Sequence, residues 1–199
     1  MLKRGAQRGV TLIEVAIGLA IIGVLLSLAL PNFATFLRNT EIKNAAETTL
    51  SGINLARAEA VRRNASVRFQ LVNSLTSSCA LSSSSLNWVV SLDDPAGKCN
   101  VAPSDSTAPR AIQAKSGQEG TKNITVSTTG GSTVIFNGLG RVSGSGITQI
   151  DFSNPLGGAC EHVDSTSSMR CLRVLLTTGG QAKLCDPKVT DATDPRYCS

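Results

Sequence analysis

Glu14 is the residue whose type and position most plainly call for chemistry. It is the single charge in the run Val10 to Leu30, VTLIEVAIGLAIIGVLLSLAL, which follows the basic residues Lys3, Arg4 and Arg8. A carboxylate at the centre of an apolar helix costs about 2.5–3.5 kcal/mol on insertion scales, and less near the end of the span. An ionisable group kept at such a position implies a partner or a task. Other chemistry is poorly supplied. His162 is the only histidine, which excludes a site built on two imidazoles. The six cysteines include no C-x-x-C pair, so a zinc site is disfavoured, and Glu161-His162-Val163-Asp164 reads as a polar loop between two cysteines. No catalytic triad, no paired carboxylates at helical spacing in a plausible cleft and no phosphate-cradling glycine loop occur. The expectation is a non-enzyme with no cofactor and no metal.

Composition narrows the class further. The chain has 199 residues, 41% apolar and 17% charged, enough for a real core and for two domains at most. Aromatics are only 4%, too few for a stacking platform on single-stranded nucleic acid. The formal charge of +5 is concentrated at the start, because Lys3, Arg4 and Arg8 contribute three of it. From Asn64 onward there are 11 basic and 10 acidic side chains, so this part carries no bias toward phosphate polymers.

The elements that must position Glu14 follow from periodicity. At about 1.5 Å per residue, a helix over 10–30 spans roughly 30 Å, one bilayer core. The basic residues before it place the amino terminus in the cytoplasm and the remainder outside. A secretory signal peptide is disfavoured, since no A-x-A-like site closes the run and Leu30-Pro31-Asn32-Phe33 leads directly into more helix. Ile42, Ala46, Thr49, Ile53, Ala56 and Ala60 step by three and four, while Arg38, Glu41, Lys43, Glu47, Arg57 and Glu59 take other faces. A continuous helix from Val10 to Arg63 would be roughly 80 Å long. Gly18, Gly23, Pro31 and Gly52 are expected to bend it or to let it melt locally. Arg62 and Arg63 suit its negative pole, and Asn64 suits a left-handed close.

Beyond Asn64 the period changes to two. Strands are expected at Val67–Leu71, Leu86–Leu92, Asn123–Ser127, Thr133–Phe136, Ile147–Phe152 and Leu172–Leu176, with loops over 74–85 and 95–109. The fold class is therefore α+β, a long amino-terminal helix packed on an antiparallel β-sheet domain. Cysteines in an exported domain form disulfides. Of the 15 pairings open to six cysteines, Cys79–Cys99, Cys160–Cys171 and Cys185–Cys198 close the shortest loops.

The segment Lys3-Arg4 through Arg8-Gly9 and Val10-Thr11-Leu12-Ile13-Glu14 resembles the processing site of type IV prepilins and type II secretion pseudopilins. The resemblance implies cleavage after Gly9 by prepilin peptidase and methylation of Val10, although Phe is the commoner first residue there. It also implies that Glu14 pairs with the amino terminus of a neighbouring subunit and so sets axial register in the filament. Phe136-Asn137-Gly138-Leu139-Gly140-Arg141 looks like the strand-then-glycine feature of the GspH/FimT pseudopilin domain. Gly179 to Pro187, with Asp194-Pro195-Arg196-Tyr197-Cys198, resembles the end of FimT and FimU minor pilins.

Together these readings divide the chain into a cleaved leader (1–9), a transmembrane and assembly helix (10–30), an amphipathic helical half (31–63) and a periplasmic or extracellular GspH/FimT-like β-rich domain (64–199). The resemblance implies a type IV pilus minor pilin, held in the bacterial inner membrane by one span and then built into a cell-surface pilus, at its tip. There it would support pilus assembly, twitching motility and adhesion. Its partners would be prepilin peptidase, the other minor and major pilins and the inner-membrane assembly platform. Two alternatives remain open. One is a type II secretion pseudopilin. The other is DNA capture for transformation, with Lys183, Arg141 and Arg196 as candidate contacts. FimT members use a Gly-Arg-x-Arg motif for that, and Gly180-Gln181-Ala182-Lys183 lacks both arginines.

Overall fold

The computed structural model describes residues 10–117, 121 and 123–199, the side chains at 28–32 excepted. Helix α1 (Leu12–Arg63) precedes β1 (Val67–Val72), β2 (Asn87–Ser91), β3 (Ala111–Lys115), β4 (Thr125–Thr129), β5 (Thr133–Phe136), β6 (Gln149–Ser153), β7 (Leu172–Leu176) and β8 (Ala182–Cys185). The chain divides into two compact units between Leu37 and Arg38.

In the first unit the large apolar side chains stand exposed in every direction, among them Leu12, Ile13, Val15, Ile17, Leu19 and Ile22. Among the described residues no helix is long and apolar enough to cross a membrane. The transmembrane reading of 10–30 therefore rests on the sequence, and the side chains at 28–30 lie outside the described ones. No turn of α1 is unwound at Gly18, Gly23, Pro31 or Gly52.

In the second unit the helical stripe read from the sequence is the core face. Ile42, Ala46, Ile53, Ala56 and Ala60 are fully buried and Thr49 nearly so. They form one cluster with Val67, Phe69, Leu71, Trp88, Val90, Val134 and Phe136 from one sheet and Val126, Ile150, Phe152, Val174 and Leu176 from the other. Both sheets are antiparallel and four-stranded, ordered β3-β2-β1-β5 and β4-β6-β7-β8. The two strands absent from the sequence reading, β3 and β8, are edge strands. Each has a single buried position, so neither produces the alternation that marks a half-buried strand.

Gly52 is not a hinge. A Cβ there would lie 2.9 Å from Phe69 and 3.0 Å from Trp88, whose rings stack at 5.7 Å between centroids. Glycine lets the helix backbone settle onto this aromatic pair. The opposite face of β1 is also covered, which alternation alone does not foretell. Gln70 is 1% exposed and donates to Thr133 Oγ1 at 3.3 Å and Asp94 Oδ1 at 3.4 Å. Beside it Val72, Val89, Cys79 and Cys99 make a second small core beneath the loops.

The helix ends as its sequence proposes. Asn64 adopts φ +47°, its N–H donates to the Val61 carbonyl, and the Ala65 N–H donates to Ala60. These two bonds form a Schellman close. Glu59 accepts from both Arg62 and Arg63, and these bonds, Arg62 first, hold its carboxyl below the usual range. A Gly52→Val chain should lose about 1–3 kcal/mol of stability through overpacking, read from the denaturant midpoint of Trp88 emission. An unchanged midpoint would mean that the ring pair can yield.

Candidate assembly segment and charged surface

The amino-terminal turn of α1 is built by Thr11. Its Oγ1 accepts from the Glu14 N–H at 3.3 Å, and its carbonyl accepts from Val15 N at 3.2 Å. Thr11 is thus the cap and Glu14 the third helical residue, in the turn where the helix dipole is positive. Thr-Leu-Ile-Glu has the spacing of a capping box, a signal present in the sequence that went unread. The cap uses the backbone of Glu14 and leaves its exposed carboxylate available. Among the described residues no basic side chain pairs with it. Val10 is 70% exposed, and Gly9 lies outside the described residues.

The segment Phe136–Arg141 performs a different task. Asn137 Oδ1 accepts from Leu139 N at 3.0 Å and Arg141 N at 3.1 Å, which folds a tight turn. That turn closes over the end of α1. A Cβ at Gly138 would lie 2.5 Å from Asn64 Oδ1, and the Gly140 carbonyl accepts from Arg57 Nε at 3.1 Å. Gly140 has φ +71°, and Gly180 backs directly onto its carbonyl. The glycines are required by close backbone approach, so this feature is a seat for the helix end and no chemistry is assigned to it.

All six cysteines are bonded, as Cys79–Cys99, Cys160–Cys171 and Cys185–Cys198. Loops of 20, 11 and 13 residues closed in this way contribute about 2–4 kcal/mol each by restricting the unfolded chain.

The candidate basic residues are mostly neutralised. Arg170 pairs with Asp186 at 3.0 Å, Arg173 with Asp151 at 2.6 Å, Arg196 with Asp194 at 2.7 Å, and Lys188 with Glu161. Lys183 donates to the Tyr197 carbonyl at 2.9 Å, and Arg141 is exposed. A shallow cavity of about 400 Å³ gathers Arg170, Lys188 and Arg196 with Glu161 and Asp186, while Lys183 and Arg141 do not line it. Among the described residues no cluster of ligating side chains could hold a metal.

These parts define a class of protein: an assembly subunit whose helix starts as an apolar rod with one carboxylate and ends as the spine of a disulfide-tied β-domain. The model of the prokaryotic N-terminal methylation motif matches residues 4–30, and that of type II transport protein GspH matches residues 45–180. The chain belongs to the GspH family, a family of structural pilin-like proteins and not of enzymes. It is 42% identical over 65 residues to the pilin-like protein PilA1 of Thermus thermophilus. That stretch is 33% of this chain and spans only 40% of the length of the relative. The crystal structure of the type IV minor pilin FimU of Pseudomonas aeruginosa covers 79% of this chain and 97% of its own, at 15% identity and a TM-score of 0.46. A second crystal form of it gives 0.43 at 12% identity, covering 75% and 97%. At those values the likeness adds nothing to the fold read from the chain itself.

Acid should loosen the carboxyl-terminal tail. Asp194 is held down to about 2 by the Arg196 guanidinium and by the Arg196 N–H. A depressed carboxylate stabilises fully above its unfolded value near 4, and that contribution is lost as pH falls toward 2. Asp194→Asn should flatten this part of the acid limb of the melting curve. An acid limb identical to that of the parent would show that the pair contributes nothing.

Proposed function

We propose that the chain is a minor pilin of a type IV pilus. Prepilin peptidase cuts after Gly9 and methylates Val10, and residues 10–30 hold the subunit in the inner membrane with the domain in the periplasm. The same rod then trades lipid for neighbouring pilin helices as the subunit enters the filament, at or near its tip, where it supports assembly, twitching and adhesion. The observation that carries this reading is the methylation motif over 4–30 joined to a helix whose apolar side chains have no cover within the first unit. Cleavage leaves an ammonium in an apolar setting, where an unpaired charge is costly, and the Glu14 carboxylate of a neighbour offsets it. In this account helix association is driven by close packing and by that ion pair.

The pseudopilin reading draws on a specific finding, the type II transport description of the matched family. DNA capture has less support, because four of the six basic residues considered already face acids. Salt-sensitive gel shifts with the full chain are expected to give no shift even at low salt; a strong shift would favour DNA capture.

Gly9 changed to a bulky residue should leave an uncut, membrane-retained precursor by mass spectrometry, and normal trimming would refute the site. Glu14→Ala should insert but enter isolated pili at least about tenfold less well, if the ion pair is worth about 1.4 kcal/mol or more in the apolar interior. Recovery of the parent in purified secretion pseudopili and not in pili would favour the pseudopilin reading.

A further inference from the structure

The lobe between β6 and β7 is fastened to the first turn of the helix within the second unit. Asn39 Nδ2 donates to the Ser168 carbonyl at 3.1 Å, and its Oδ1 accepts from Arg170 N at 2.9 Å. Asn154, 1% exposed, donates from Nδ2 to Glu41 Oε2 at 2.9 Å. Inside the lobe the Glu161 N–H donates to the Met169 carbonyl at 2.8 Å, and Cys160–Cys171 closes the loop. This small, well-braced lobe nonetheless displays Leu156 at 62% and Val163 at 75% exposure.

Position along the chain gives that display a meaning. From Val10 to Leu37 the only charged residue is Glu14, and the next is Arg38. Asn39 and Glu41 follow Arg38 by one and three residues, so only about 2–5 Å of helical rise separates the fastening points of the lobe from the end of the apolar run. The other exposed apolar turn of this unit, Leu139 at 77%, belongs to the segment seated on Asn64 and Arg57. Those residues lie about 25–35 Å further along the helix by rise per residue.

We propose that the 154–170 lobe is a second membrane contact, with Leu156 and Val163 entering the headgroup–acyl boundary of the bilayer while the subunit awaits assembly. The inference rests on the membrane-anchored reading above. The occupant is lipid because the chain itself carries the lobe to the end of its apolar run, and two apolar side chains on a rigid support can enter that boundary without rearrangement. Charge does not drive the contact: Glu161 and Asp164 stand in the same lobe region as Arg170 and Lys188, and Lys188 is already paired with Glu161.

The test uses the full chain in phosphatidylcholine vesicles containing a lipid brominated close to its headgroup. Single variants Leu156→Trp, Val163→Trp and Leu139→Trp are compared; the native Trp88, 3% exposed, provides a common background. The expected result is quenching at 156 and 163 at least about twofold stronger than at 139, unchanged by salt, as for shallow apolar insertion. Equal quenching at all three positions overturns the proposal. Protein that floats with the vesicles but shows no quenching at 156 and 163 overturns it while leaving the anchor reading intact, and blue-shifted emission there without quenching assigns the lobe to contact with another subunit instead. Protein that does not float overturns both readings.

Discussion

Apolar surface must be covered, and the two parts of α1 meet that requirement differently. From Arg38 onward the helix presents apolar residues on one stripe, and two sheets cover it. Before Leu37 the apolar residues surround the helix, so no single sheet or loop could bury them all. A helix that is hydrophobic all round needs lipid or other helices about it. The division of the chain into two units falls where the pattern changes from one arrangement to the other. The remaining architecture follows: the β-domain needs only one helical face, and the rod is left to intermolecular packing.

Much of this was legible in the residues. The steps of three and four from Ile42 to Ala60 named the buried face, and Asn64 after two arginines announced the helix end. Six cysteines in a domain with one histidine read as disulfides, and they are bonded. The strands with strong alternation, such as Val67–Val72 and Thr133–Phe136, stood out. β3 and β8 did not, because an edge strand with one buried side chain has no periodic signature. The burial of Gln70 and Val72 was also hidden. It depends on loops arriving from distant sequence and not on the pattern of the strand itself.

Glycines illustrate the other limit of sequence reading. Gly52 looks like a weak point when helix propensity alone is considered, yet it permits the closest approach between α1 and the Phe69–Trp88 pair. Gly138 and Gly140 resembled a family feature, and their physical reason lies in the backbone of Asn64 and the side chain of Arg57. Thr11 makes the same point at the opposite end of the helix. Its spacing to Glu14 encodes a local cap, and the cap leaves the carboxylate free for a partner.

Every cysteine lies at or beyond position 79, so each covalent cross-link ties β-domain segments to one another and none ties them to α1. Tension applied along the spine would therefore be resisted by interdigitated side chains and by a few polar clasps such as Arg57 with Gly140. The stapled loops would keep their closures after that grip had slipped. Under load, the weak seam of the subunit is the one between spine and sheets.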